Sequence, residues 1–205
     1  MDVTNLSSTA HQDAQRVEAF RELATKRYLV LGAGISGRAA ASALNRIGAS
    51  VSVIDGNTAQ LDLLDPGVTP LLPSDNPAMV EALATTAPDV VVASPGFPPH
   101  HPVLVEAAAR AVPIWSEVEL AWRIAPPGIA WIGLTGTNGK TTTVSMVSTI
   151  LTGAGMVAPA VGNIGDPVTT TVLNAREGAA PLDALALELS SFQLHFTSSM
   201  TLTAA

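Results

Sequence analysis

The run Gly136-Thr137-Asn138-Gly139-Lys140-Thr141-Thr142-Thr143 carries the residue types that hold phosphate groups. An apolar stretch, Ile129–Leu134, leads into it, and a helical pattern follows. Backbone N–H groups in such a turn and at the helix start point at an anion, and the helix dipole favours negative charge there. Lys140 can reach outer phosphates, and the hydroxyl of Thr141, directly after it, can ligate Mg²⁺. The strict pattern has glycine five positions before Gly139, where this chain has Leu134. Thr137 to Thr143 are therefore candidate nucleotide contacts in a shorter loop, with an ordinary strand–helix turn as the alternative.

A second glycine turn, Gly32-Ala33-Gly34-Ile35-Ser36-Gly37, follows the apolar stretch Tyr28–Leu31, and Asp55 lies 18 residues beyond it. Strand, glycine turn, helix and acid at this spacing match the dinucleotide fingerprint. A diphosphate would rest on the N–H groups of Ile35 and Ser36, with Asp55 accepting ribose hydroxyls. A nicotinamide or flavin cofactor satisfies that pattern, and so does a nucleotide-diphosphate sugar. Ser94-Pro95-Gly96 follows the run Asp89–Ala93, at the strand end where parallel sheets bind ligands. It is either a ligand-facing turn or a rigid proline turn.

Glu188 ends an apolar stretch inside the phosphate-loop segment. It is a candidate Mg²⁺ ligand two strands from the loop, or else an edge-strand acid. Asn163, in Gly162-Asn163-Ile164-Gly165, could contact substrate or exist for its turn geometry. His100 and His101 have no cysteine or carboxylate at metal-ligand spacing and read as exposed loop residues.

The elements that position these groups alternate. Strands are expected at Tyr28–Gly34, Ser50–Asp55, Val68–Leu72, Asp89–Ala93 and Val112–Trp115, with helices between them. Ser116 begins a capping box with Glu119 on the helix Glu117–Ile124. Pro126-Pro127-Gly128 then breaks the pattern. Beyond it come strands 129–134, 157–161 and 184–189 and helices 140–153 and 167–174. The fold class is α/β: a Rossmann-like N-terminal domain at 16–126, then the first part of a P-loop-type parallel-sheet ATPase domain at 127–205. Residues 1–15 read as a flexible tail, and a short helix is expected at Ala14–Ala24. The chain stops amid β-prone residues, Met200–Ala205, and is expected to be part of a longer domain.

Composition narrows the classes. Of 205 residues, 47% are hydrophobic and 13% charged, which excludes a disordered chain. The net charge of −7 opposes general nucleic-acid or membrane-surface binding. There is no cysteine, hence no disulfide or thiolate chemistry. Apolar runs are too short for a membrane span, and a cytoplasmic monomer is expected.

Gly-Thr-Asn-Gly-Lys-Thr-Thr (136–142), Gly-Asn-Ile-Gly (162–165) and Glu-Leu-Ser-Ser-Phe-Gln-Leu (188–194), in that order, resemble the Mur ligases of peptidoglycan synthesis. The N-terminal glycine turn and Ser-Pro-Gly-Phe make the likeness strongest to the branch that joins D-glutamate to UDP-N-acetylmuramoyl-L-alanine. The resemblance implies an ATP- and Mg²⁺-dependent amide ligase acting through an acyl phosphate. Ile35, Ser36, Asp55, Asn57, Ser94, Pro95 and Gly96 would bind the uridine diphosphate, and Asn163 and Gln193 the muramoyl part. Lys140 and Glu188 would be catalytic, with Thr141 and Glu188 on the metal. Where some relatives have Thr-Arg after the second-strand acid, this chain has Gly56-Asn57. The family's metal-binding histidine, carbamylated lysine and D-glutamate domain would lie beyond residue 205, so these residues alone are expected not to ligate.

Overall fold

The computed structural model describes residues 18–73, 75–179 and 181–205. The tail assigned to residues 1–15 and the start of the helix expected at Ala14–Ala24 lie outside them, while residues 18–23 are helical.

The first sheet has five parallel strands, β1 (Arg27–Leu31), β2 (Ser50–Ile54), β3 (Thr69–Leu71), β4 (Val90–Ala93) and β5 (Ile114–Ser116), ordered β3-β2-β1-β4-β5. Between and after them run α1 (Ile35–Arg46), α2 (Thr58–Leu61), α3 (Asn76–Thr86), α4 (Pro102–Ala109) and α5 (Glu117–Ile124). Strands β1 and β4 are apolar almost throughout because helices cover both faces. Leu83, Val103, Leu104 and Ala107 from α3 and α4 pack on Leu29, Leu31, Ile54 and Val91. On the other face α1 buries Ala40, Ala41, Ala43 and Leu44, small residues that bring the helix close to the sheet.

After Pro126-Pro127-Gly128 a second parallel sheet forms from β6 (Ala130–Leu134), β7 (Ala160–Gly162) and β8 (Ala184–Glu188), ordered β6-β8-β7. Its helices are α6 (Lys140–Gly153), α7 (Val168–Arg176) and α8 (Ser191–His195). The outer edge of β6 is also paired. Thr203 N–H donates to the Trp131 carbonyl at 2.7 Å, and Gly133 N–H to the Ala204 carbonyl at 3.0 Å. A Cβ on Gly133 would lie 2.7 Å from the Leu202 side chain, so glycine lets that leucine pack closely on β6.

Several expectations are corrected. The strand placed at 157–161 forms at Ala160–Gly162, because Pro159 has no N–H and Val157 is tied to Asp183 instead. His101 is a half-buried cap rather than a free loop residue, its Nδ1 accepting from Val103 N–H at 3.4 Å. The Ser116–Glu119 capping box is only half formed. Ser116 Oγ accepts from Glu119 N–H at 3.0 Å, but the Glu119 carboxylate turns away to Arg123 and to the N–H groups of Ser198 and Ser199.

That turn is one of several polar ties between the two sheets. One hydrophobic cluster runs across both, from Val30, Val53 and Val92 through Trp131 to Val172 and Leu187. Around it, buried Glu117 accepts from both the N–H and the hydroxyl of Thr169, at 2.7 and 2.8 Å, at the start of α7. At the other end of α7, Arg176 donates to the carbonyls of Ile124 and Ala125. Among the described residues no helix is long and apolar enough to cross a membrane.

Burial pushes the Glu117 carboxyl above its ordinary value of 4.5, against the opposing pull of the Thr169 and Val168 donors. Between that value and its raised folded one, the unfolded chain releases a proton that the folded chain retains. Glu117 therefore contributes less stability as pH rises through this window. Glu117→Gln should gain stability relative to the parent as pH rises from about 4.5, with a slope of up to about 1.4 kcal/mol per pH unit. Urea unfolding of both proteins across this range checks it; a difference independent of pH would contradict it.

Candidate functional site

Strand β6 ends at Leu134, and the chain turns through Thr135–Gly139, all exposed, before α6 begins at Lys140. Gly136 (φ 149°) and Gly139 (φ 76°) adopt backbone conformations that side chains disfavour, which forms the turn. The first turn of α6 has no side-chain cap and no acidic residue, leaving its N–H groups for an outside acceptor. Lys140 Nζ lies across the loop and donates to the Gly136 carbonyl at 2.7 Å.

Strand β8 is the direct neighbour of β6, with Glu188 opposite Leu134, so the carboxylate expected two strands away lies on the adjacent strand. Glu188 is 2% exposed. Its Oε2 accepts from the Thr141 hydroxyl at 2.7 Å, and its Oε1 from Asn163 Nδ2 at 3.1 Å. Asn163 is held by its own backbone too, its N–H donating to the Glu188 carbonyl at 2.9 Å. The Gly-Asn-Ile-Gly turn owes its glycines to this packing. A Cβ on Gly162 would lie 2.4 Å from the Glu188 carbonyl oxygen, and one on Gly165 2.4 Å from that of Ala160. Thr141, Asn163 and Glu188 thus form one hydrogen-bonded cluster, with Lys140 preceding Thr141 at the helix start.

The first glycine turn is a separate cluster on the other sheet. Gly32 takes φ 91°, and a Cβ on Gly37 would fall 1.8 Å from the Gly32 carbonyl, so glycine lets α1 start this close. In front of Gly34 there is open space. Asp55 is built into the turn, Oδ2 accepting from Ala33 N–H at 2.6 Å and Oδ1 from Asn57 N–H at 2.8 Å. Asn57 caps α2 through its side chain. Ile35 is 71% exposed at the mouth. Ser94 stands beside Gly32 and Gly37, and its buried Oγ is without a hydrogen-bond partner. Pro95 and Gly96 continue the turn outward.

The segment after Glu188 bridges the two clusters. Helix α8 brings Phe192, Gln193 and Phe196 against Ala93–Pro95 and Phe97. Gln193 is buried, and its Oε1 accepts from Ser190 N–H at 2.9 Å while Ser190 Oγ accepts from Gln193 N–H, a complete capping box. That signature, Ser-x-x-Gln, is visible in the sequence. Helix α2, with Gln60, was missed because four residues show no periodicity. The ties made by Glu117 and Glu119 across the sheets had no sequence signal.

Fold and site together define a parallel α/β protein with two glycine turns of the phosphate-binding kind, one at the head of each sheet. Residues 134–204 match the Mur ligase middle domain, and residues 16–108 the alanine dehydrogenase/PNT C-terminal domain. The second match agrees with the Rossmann-like order of the first sheet. Three curated relatives are UDP-N-acetylmuramoylalanine–D-glutamate ligases. That of Streptomyces avermitilis is 43% identical over 85% of this chain and 37% of its own. That of Thermobifida fusca is 43% identical over 87% and 38%, and that of Mycolicibacterium smegmatis 44% over 85% and 34%. The chain belongs to the Mur ligase family. It spans little more than a third of the length of these relatives.

Gly162→Ala would force both a disfavoured φ of 106° and a collision with the Glu188 carbonyl. We expect a loss of roughly 1–3 kcal/mol in urea unfolding. An unchanged midpoint would show that this close approach is not needed.

Proposed function

We propose that this chain supplies the uridine-nucleotide and ATP-binding parts of a cytoplasmic ligase that joins D-glutamate to UDP-N-acetylmuramoyl-L-alanine. The observation that carries the reading is Glu188, a buried carboxylate beside the phosphate-loop hydroxyl of Thr141, in a chain whose relatives bear that activity. A buried carboxylate partnered only by a neutral hydroxyl and a neutral amide calls for a cation. Two hard oxygen donors fit Mg²⁺, which favours one or two protein oxygens, phosphates and water over an all-protein cage. No group of three or more His, Asp or Glu side chains able to hold a metal occurs among the described residues, which agrees with such a shared site.

Thr141 and Glu188 would hold Mg²⁺, which neutralises charge on the phosphates when bound. Thr137–Thr143 would surround the nucleotide phosphates with backbone N–H groups and hydroxyls. Lys140 exchanges the Gly136 carbonyl for a phosphate oxygen and offsets charge on the transferring group. Asn163, fixed on Glu188, would face the muramoyl carboxylate that accepts the phosphoryl group. Gln193 closes the cap of α8 beside the Ser94 turn and would act by positioning that helix. Ile35 and Ser36 N–H groups would take the diphosphate. Asp55 and Asn57 would flank the ribose and uracil, and Ser94, Pro95 and Gly96 would close the opposite side, where the unpartnered Ser94 hydroxyl awaits an acceptor. The D-glutamate amine would then attack the acyl phosphate so formed, making the amide bond as the acyl C–O bond breaks and inorganic phosphate leaves.

The chain should bind UDP and not NADH in calorimetric titrations. Lys140→Ala should weaken ADP binding in Mg²⁺ by about 10- to 100-fold, the loss of one charge-assisted contact, while UDP binding stays within about twofold. Tight NADH binding without UDP binding would replace this reading with that of a nicotinamide-binding domain.

A further inference from the structure

The two glycine turns share a feature that the motifs do not contain. In the phosphate loop, Lys140 is latched onto a carbonyl of its own turn, Gly136. In the first turn, Arg38 is latched onto the Ala33 carbonyl, its Nη1 donating at 2.7 Å. The same Nη1 donates to Gln60 Oε1 on α2. Neither cation has a carboxylate partner among the described residues, whereas Arg21, Arg27, Arg46, Arg110 and Arg123 are all in ion pairs.

A guanidinium has five N–H donors. The two on Nη1 are used by Ala33 and Gln60. The Nε donor and the two on Nη2 have no protein acceptor among the described residues, which leaves a fork of the shape that grips a phosphate through two parallel bonds. Arg38 is half-buried, one helical turn after Gly34, and its side chain runs back toward the helix start where the open space lies. The segment after β2 carries no cation, since Gly56, Asn57, Thr58, Ala59 and Gln60 are all neutral. In a chain of net charge −7, an incoming diphosphate needs a local counter-charge.

We propose that Arg38 is a ligand-binding residue of the first turn, the counterpart of Lys140 in the second, and that it selects the diphosphate of a uridine nucleotide. This rests on the uridine-nucleotide reading of that turn. Arg38 keeps its bond to Ala33 and turns its Nε/Nη2 edge to the phosphate beside Ile35 and Ser36. The alternative is a purely structural strut between α1 and α2, in which Arg38 acts only through Gln60.

Titrations of the whole chain with UDP and with uridine, which lacks the phosphates, separate these readings. Arg38→Met should weaken UDP binding at least tenfold and uridine binding less than twofold, and flatten the salt dependence of UDP affinity. Arg38→Lys should recover part of the loss. Gln60→Ala, which removes the strut and leaves the cation, should keep UDP affinity within twofold. UDP affinity unchanged in Arg38→Met overturns the proposal while the uridine-nucleotide reading stands. Equal losses for UDP and uridine, or a Gln60→Ala variant as weak as Arg38→Met, identify a strut and overturn it as well. If the parent chain binds no UDP, the uridine-nucleotide reading fails first and takes this one with it. If Arg38→Met does not fold, the Arg38→Lys and Gln60→Ala pair decides in the same way.

Discussion

A carboxylate buried at 2% exposure, with no cation among its partners, is the constraint around which the second sheet is arranged. Such a group is costly unless its oxygens are satisfied and its charge is met. Glu188 meets the first condition through Thr141 and Asn163, and each partner fixes a further element. Thr141 sets the register of the phosphate loop against β8. Asn163 requires the turn after β7 to approach the backbone of β8 so closely that Gly162 cannot carry a side chain, while Gly165 is closed off by the Ala160 carbonyl of β7. The second condition, a positive charge, is the one that the proposed Mg²⁺–nucleotide complex would meet.

The first sheet repeats the logic with different parts. Asp55 ties the glycine turn to the segment after β2, as Glu188 ties the phosphate loop to the turn after β7. Each sheet therefore presents exposed N–H groups at a helix start, an acid that braces the turn, and a cation lying on a turn carbonyl. The two heads are coupled, since the residues after Glu188 run into α8, whose aromatic side chains lie on the Ser94 turn. Glu117, Glu119 and Arg176 lock the helices behind them, so movement of one turn relative to the other would have to break buried and part-buried hydrogen bonds.

Much of this was legible in the sequence because it depends on local residue types. The alternation of apolar runs and helical patterns marked the strands of both sheets, and glycine and proline marked both turns and the break at 126–128. Thr141 and Glu188 were expected near one another as a metal-ligating pair, but neither the bond from Asn163 to Glu188 nor the sheet order, with β8 directly beside β6, was. What was illegible is long-range. Nothing near Glu119 shows that its carboxylate will leave its own helix cap for Ser198 and Ser199, because that choice depends on a segment far along the chain. Gln193 illustrates competition between readings, since Ser-x-x-Gln is a cap signature that a functional motif obscured. The displaced start of β7 reflects one missing donor at Pro159, a detail that hydrophobic patterning does not register.

On the proposed reading, the Glu188 carboxylate receives a divalent cation that arrives with the nucleotide. It is tested by the Mg²⁺ dependence of ADP affinity in the parent chain and in Glu188→Gln, which keeps the shape and can still accept from Asn163, with its amide N–H donating to the Thr141 hydroxyl, but removes the charge. Mg²⁺ is expected to tighten ADP binding to the parent by at least tenfold, and Glu188→Gln to lose most of this gain while binding metal-free ADP as well as the parent does. Full Mg²⁺ stimulation in Glu188→Gln would contradict it.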